Sequence, residues 1–177
     1  KMRLPTRSIP YGKQKIDIFD ANVIKKSVLQ KFITTGNSVK KFEKNFRRFL
    51  NVNYAFTCTS GTAALHLSFL AINLKKNDLI IMPSVNFVAA FNLASSLGAK
   101  VILSDVNSLT GQMTPQTLKD CIKKNKIKKI KAFLTMHMGG HPEHILEFNL
   151  LKKKYNCFLI EDACHALGAQ YKFKNKK

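Results

Sequence analysis

Acidic side chains are scarce in this sequence: ten Asp and Glu stand against thirty Lys and Arg, a formal net charge of +20 at pH 7. Cysteine is sparse too, and Cys58, Cys121, Cys157 and Cys164 share neither C-x-x-C spacing nor a repeated interval. That excludes a disulfide framework and a zinc knuckle as organising principles, and the four read as reduced thiols, with Cys164 a small, mostly buried filler. No apolar run is long enough to span a bilayer, since residues 63–72 are interrupted by His66 and Ser68. No glycines stand in G-x-G spacing and none is followed by Lys-Ser or Lys-Thr, which excludes the usual dinucleotide and P-loop fingerprints. No charged-then-apolar leader opens the sequence, so a soluble protein working in the cytoplasm is expected.

The excess of basic charge raises the question of nucleic acid. Its distribution answers differently. The lysines occur as Lys25-Lys26, Lys40-Lys41, Lys123-Lys124, Lys126, Lys128-Lys129, Lys131, Lys152 to Lys154 and within 172–177, mostly at helix ends and in loops. Such scatter reads as solvated faces rather than one binding groove, with a general attraction to anionic ligands.

With 177 residues and 45% hydrophobic content the chain can build one core. Two helices come first, over 17–31 and then through Val39, Phe42, Phe46, Phe49 and Leu50, giving a helical segment over 1–52. From 53 to 177 short apolar runs alternate with helical stretches. The spacing predicts strands at 54–58, 79–82, 100–104, 130–135 and 157–160, and helices at 62–73, 87–97, 115–124 and 143–155. This alternation predicts an α/β fold with a mostly parallel sheet covered on both faces, and function at the strands' C-terminal ends. No linker or repeat marks a domain boundary.

Ser60-Gly61-Thr62 falls where a strand gives way to an apolar helix. Free N–H groups, the helix dipole and a glycine at that point suit a phosphate, although the same triplet also makes an ordinary cap. Asp162 follows the apolar run 157–160 and is placed at the sheet's C-terminal edge. A buried carboxylate needs a partner, and a protonated pyridine nitrogen is one; a helix N-cap is the competing reading. His137, His141 and His144, with Glu143 and Glu147, are spaced loosely like metal ligands but lack H-E-x-x-H order, so no metal is assigned. His137 or His141 facing a substrate pocket is the better reading of that segment.

Six blocks in order carry a resemblance: Ile9-Pro10-Tyr11-Gly12-Lys13-Gln14, Thr34-Thr35-Gly36, Phe42-Glu43, the segment from Ser60 to Leu67, Pro83-Ser84-Val85-Asn86-Phe87-Val88-Ala89, and the segment from Glu161 to Ala169. Together they resemble the DegT/DnrJ/EryC1/StrS sugar aminotransferases, over nearly the whole chain. The resemblance implies the N-terminal portion of the large domain of a fold-type-I transferase dependent on pyridoxal 5'-phosphate (PLP). It puts the cofactor phosphate on the Gly61 and Thr62 amides and the Thr62 hydroxyl, with Phe87 stacked on the pyridine ring. Asp162 would pair with the ring nitrogen, and His165 would lie near the phenolic oxygen. A core phenylalanine and a structural histidine are the alternatives for Phe87 and His165.

The family's Schiff-base lysine is expected beyond Lys177, so no catalytic residue is assigned within the chain and the segment alone is expected to be inactive. Glutamate or glutamine is the implied amino donor, a keto-sugar nucleotide the acceptor, and a homodimer the assembly, in amino-sugar synthesis for surface polysaccharide. Two rivals stand beside this reading. One is a PLP-dependent sugar dehydratase with histidine in place of the lysine; the other is a lysine-rich nucleic-acid-binding module.

Overall fold

The computed structural model describes residues 12–170, and the chain divides into two compact units at Phe56 and Thr57. The Ile9-Pro10-Tyr11 part of the first block and the terminal run 172–177 lie outside the described residues.

The first unit holds two helices. α1 (Ile18–Val28) starts at Asp17, whose carboxylate accepts from the Phe19 and Asp20 amides while the Asp20 carboxylate accepts from the Asp17 amide. This reciprocal cap satisfies N–H groups that have no partner inside the helix. α2 (Asn37–Leu50) stops at Asn51, which turns left-handed at φ 52°, and Phe42 and Phe46 stack one turn apart at 5.6 Å.

The second unit runs α3 (Gly61–Ala71), β1 (Leu79–Pro83), α4 (Ala89–Ser96), β2 (Lys100–Ser104), α5 (Pro115–Lys124), β3 (Ala132–Met136), a 3-10 turn (Met138–Gly140), α6 (Ile145–Lys154) and β4 (Phe158–Asp162). The four strands form one sheet in the order β2-β1-β3-β4, with every pair parallel. Parallel strands require crossovers, and the crossover helices bury both faces. Side-chain alternation sorts the core into two layers. Ile80, Met82, Ala132, Leu134 and Ile160 pack with α3 and α4; Ile81 and Phe133 pack with α5 and α6. Nearly continuous apolar strands follow from this two-sided burial, and β3 is buried at all five positions.

The strand expected at 54–58 does not form a ladder among the described residues, and Tyr54 and Phe56 are exposed. Its pattern is strand-like, but a strand exists only beside a neighbour that accepts and donates its backbone hydrogen bonds. The other four strands lie within two residues of where the sequence puts them.

Candidate functional site

All four strands point the same way, so their C-terminal ends share one edge. α3 returns toward β1 across the sheet, which brings its N-terminus to that edge. Ser60 caps α3 by accepting from the Ala63 amide at 3.1 Å, and the Ala64 amide donates to the Ser60 carbonyl. The first-turn amides of Gly61 and Thr62 have no acceptor four residues back within the helix, and both residues are solvent-exposed. Such a pair, at the positive end of the helix dipole, is suited to a phosphate.

Asp162 ends β4 and is only 6% exposed. Alternation places it on the α3 side of the sheet, the parity of Ile160. Its Oδ1 accepts from the Cys164 amide at 3.2 Å, and the chain beyond it continues as two tight turns, closed by Ala166 onto Ala163 and Ala169 onto Ala166. No helix follows Asp162 among the described residues, so the helix-cap reading of this carboxylate falls away.

Cys164 joins the two halves. A Cβ built on Gly61 would stand 3.2 Å from the Cys164 Sγ, so α3 begins directly against the segment that Asp162 opens. The thiol is pushed up to about 11 by its hydrogen bond with Asp162, then by burial and the charge of the same carboxylate. Cys164 is exposed, which corrects its reading as a buried filler. A phosphate-type helix N-terminus, a glycine that lets Cys164 pack against it and a buried carboxylate are thus assembled at one edge. That set fits a pyridine ring carrying a phosphate: the Gly61 and Thr62 amides would hold the phosphate and the Asp162 carboxylate would hold a protonated ring nitrogen.

Phe87 lies on the same edge, four residues past β1, and is 67% exposed, so it is not a core residue. It lines a cleft of about 280 Å³ with Met82, Asn86, Phe91 and Leu103. His165 is exposed, and its carbonyl lies 2.5 Å from where a Cβ on Gly140 would be. The 3-10 turn after β3 therefore packs directly on the segment around His165. Gly140, at φ +82°, permits that approach; adjacent Gly139-Gly140 behind a strand reads as a turn in the sequence, but its contact with the His165 segment has no local signal.

The three histidines of this region engage three different carboxylates. His137 meets Glu161 at 3.0 Å, His141 meets Glu143 at 3.3 Å, and His144 meets Glu147 at 3.6 Å. No group of three or more metal-ligating side chains converges among the described residues. His137 is 3% exposed and turned onto Glu161, so of the two histidines offered for a substrate pocket His141, its side chain 71% exposed, is the one open to solvent.

The model of the DegT/DnrJ/EryC1/StrS aminotransferase family matches residues 14–176. The chain belongs to that family. Within it, the chain is 36% identical over 139 residues to GDP-perosamine synthase of Escherichia coli O157:H7, covering 78% of this chain and 37% of that protein. The structure of an aminotransferase from Psychrobacter cryohalolentis superposes with a TM-score of 0.82 at 26% identity, over 92% of this chain and 41% of that one. Spr1654 of Streptococcus pneumoniae, in a PLP form, matches with a TM-score of 0.79 at 21% identity, over 92% of this chain and 44% of that one, a likeness of fold. The chain thus spans little more than a third of the length of the curated relatives it matches. Its parallel sheet and flanking helices are part of the fold-type-I architecture of the sugar aminotransferases.

Proposed function

We propose that this chain supplies the cofactor cradle of a PLP-dependent aminotransferase acting on a keto-sugar nucleotide. The observation that carries the reading is the contact of the α3 N-terminus with the segment opened by Asp162, through Gly61 and Cys164. Gly61 and Thr62 would hold the phosphate with their amides, Thr62 adding its hydroxyl. The buried carboxylate of Asp162 would keep the pyridine nitrogen protonated, and Phe87 would cover one face of the ring. When bound, PLP supplies the electron sink that amino-group transfer requires. His165 would donate toward the phenolic oxygen from the turn packed on Gly140.

The reacting lysine is expected in sequence beyond Lys177, and the relatives' greater length leaves room for it. A GDP-linked keto sugar is the acceptor to test first, because the Escherichia coli relative is named for GDP-perosamine; glutamate or glutamine is the donor. A homodimer working in the cytoplasm, on amino sugars for surface polysaccharide, completes the reading.

The experiment is cofactor binding and amination by the full-length protein, with Asp162→Ala beside it. Visible absorbance of bound PLP and glutamate-dependent amination of the keto sugar are expected, both falling by about a hundredfold or more in the variant. Undiminished binding and turnover without Asp162 would remove its role. PLP binding with sugar dehydration and no amino transfer would favour the dehydratase.

A further inference from the structure

His137 holds both residues of the Glu161-Asp162 pair from the neighbouring strand. β3 and β4 pair in register up to Met136 opposite Asp162, and His137 extends the ladder by one step, its amide donating to the Asp162 carbonyl at 3.1 Å. Its Nε2 lies 3.0 Å from Glu161 Oε2, and an ionised carboxylate can only accept, so Nε2 carries the proton of that bond. Alternation sends the Glu161 side chain to the α5 and α6 face and that of Asp162 to the α3 face. One residue therefore grips β4 at two consecutive positions, from the side opposite the candidate cofactor.

β4 has a single strand neighbour among the described residues, β3, and Asp162 is its last residue. The aim of a carboxylate on a strand end depends on the peptide planes before and after it. The preceding plane joins Glu161 to Asp162; the following one carries the carbonyl that His137 holds. The His137 side chain is 4% exposed and that of Glu161 39%, so the bond is shielded on the histidine's side and is stronger than a surface pair.

We propose that His137 is a positioning residue: through its bond to Glu161 it fixes the orientation of Asp162 toward the ring nitrogen of bound PLP. This rests on the cofactor reading above. Partners one step removed from a ligand commonly tune its affinity by about tenfold or more, as the outer shells of metal sites do.

The test uses the full-length protein loaded with PLP labelled with ¹⁵N in the ring, comparing His137→Leu, which deletes the donor, with His137→Gln, which keeps an N–H for Glu161. Glu161→Ala provides a second route to the same loss at a partly exposed position, should the leucine variant fail to fold. His137→Leu and Glu161→Ala are expected to weaken PLP binding about tenfold and to shift the ring ¹⁵N resonance toward the unprotonated form. His137→Gln is expected to recover most of both. A drop in thermal midpoint with unchanged resonance and affinity would show a merely structural pair and overturn the proposal. Absence of PLP binding by the unsubstituted protein would overturn this proposal together with the cofactor reading; normal binding that all three variants share would overturn this one alone.

Discussion

Gly140 carries two constraints at once: a φ of +82° and a backbone oxygen, that of His165, 2.5 Å from where a Cβ would be. A left-handed conformation costs an L-residue about 1–2 kcal/mol, and the carbonyl in the way belongs to main chain that cannot swing aside. Gly140→Ala is therefore expected to destabilise the fold by at least about 2 kcal/mol and to displace the turn around His165, read by chemical denaturation and by loss of PLP binding. Cys164 gives a second residue-level test. With its thiol pushed up to about 11, roughly one in ten thousand is ionised at pH 7, so the exposed sulfur should react slowly with iodoacetamide. Asp162 is the first cause of the shift, so Asp162→Asn is expected to speed alkylation at pH 8 by about tenfold, followed by mass spectrometry of the Cys164 peptide. The linkage has a sign as well. A thiol raised on folding favours the folded state fully below its ordinary value of 9.0 and loses that contribution as pH rises to about 11, and Cys157, raised to about 11 by burial, acts in the same direction. Stability should fall across pH 9 to 11. At this scale the sequence was only partly legible: Asp162 read equally as a helix cap, because a cap and a strand-end carboxylate share the same local pattern. Its closeness to Gly61 is tertiary and leaves no local trace.

Among the elements, α5 was the most legible, because its start is written twice in adjacent residues. Pro115 takes the first helical position, where its missing N–H is not needed, and the Thr114 hydroxyl accepts from the Thr117 amide at 3.1 Å while the Thr117 hydroxyl accepts from the Thr114 amide. Thr114→Ala is expected to cost about 1 kcal/mol, measured by denaturant midpoint, while leaving cofactor binding unchanged because α5 packs on the face away from Asp162. The segment 54–58 shows the opposite case. Its apolar residues satisfy a strand pattern, yet pairing is a property of two segments, and pattern within one cannot show that a partner is present. β1 and β3 were legible for the converse reason: burial on both faces leaves unbroken apolar runs that no exposed loop would carry. The turn Met138–Gly140 was linked to a pocket only through its neighbours His137 and His141; its own contact with the His165 segment depends on what packs against it and leaves no local trace.

Over the whole molecule, charge and apolar exposure pull the reading in different directions. The +20 charge alone would favour nucleic acid, but the described second unit is built around an α/β sheet whose edge gathers a helix N-terminus suited to a phosphate and a buried carboxylate suited to a cationic group, a small-molecule site rather than a groove for a polyanion. No described helix is long and apolar enough to cross a membrane. α1 nevertheless buries none of its residues, leaving Ile18, Phe19, Ile24 and Val28 largely exposed. Apolar surface of that kind is costly in water and is commonly covered by association. The proposed homodimer would cover it with a second copy, so light scattering of the full-length protein at micromolar concentration should give twice the mass of one chain. Phe19→Asp combined with Ile24→Asp should weaken that dimer by at least about a hundredfold, since each places a charge where an apolar side chain would be desolvated. Monomer mass for the unsubstituted protein with PLP bound would set the homodimer aside and leave the cradle standing. Dimer mass retained in the double variant would place the association elsewhere than α1.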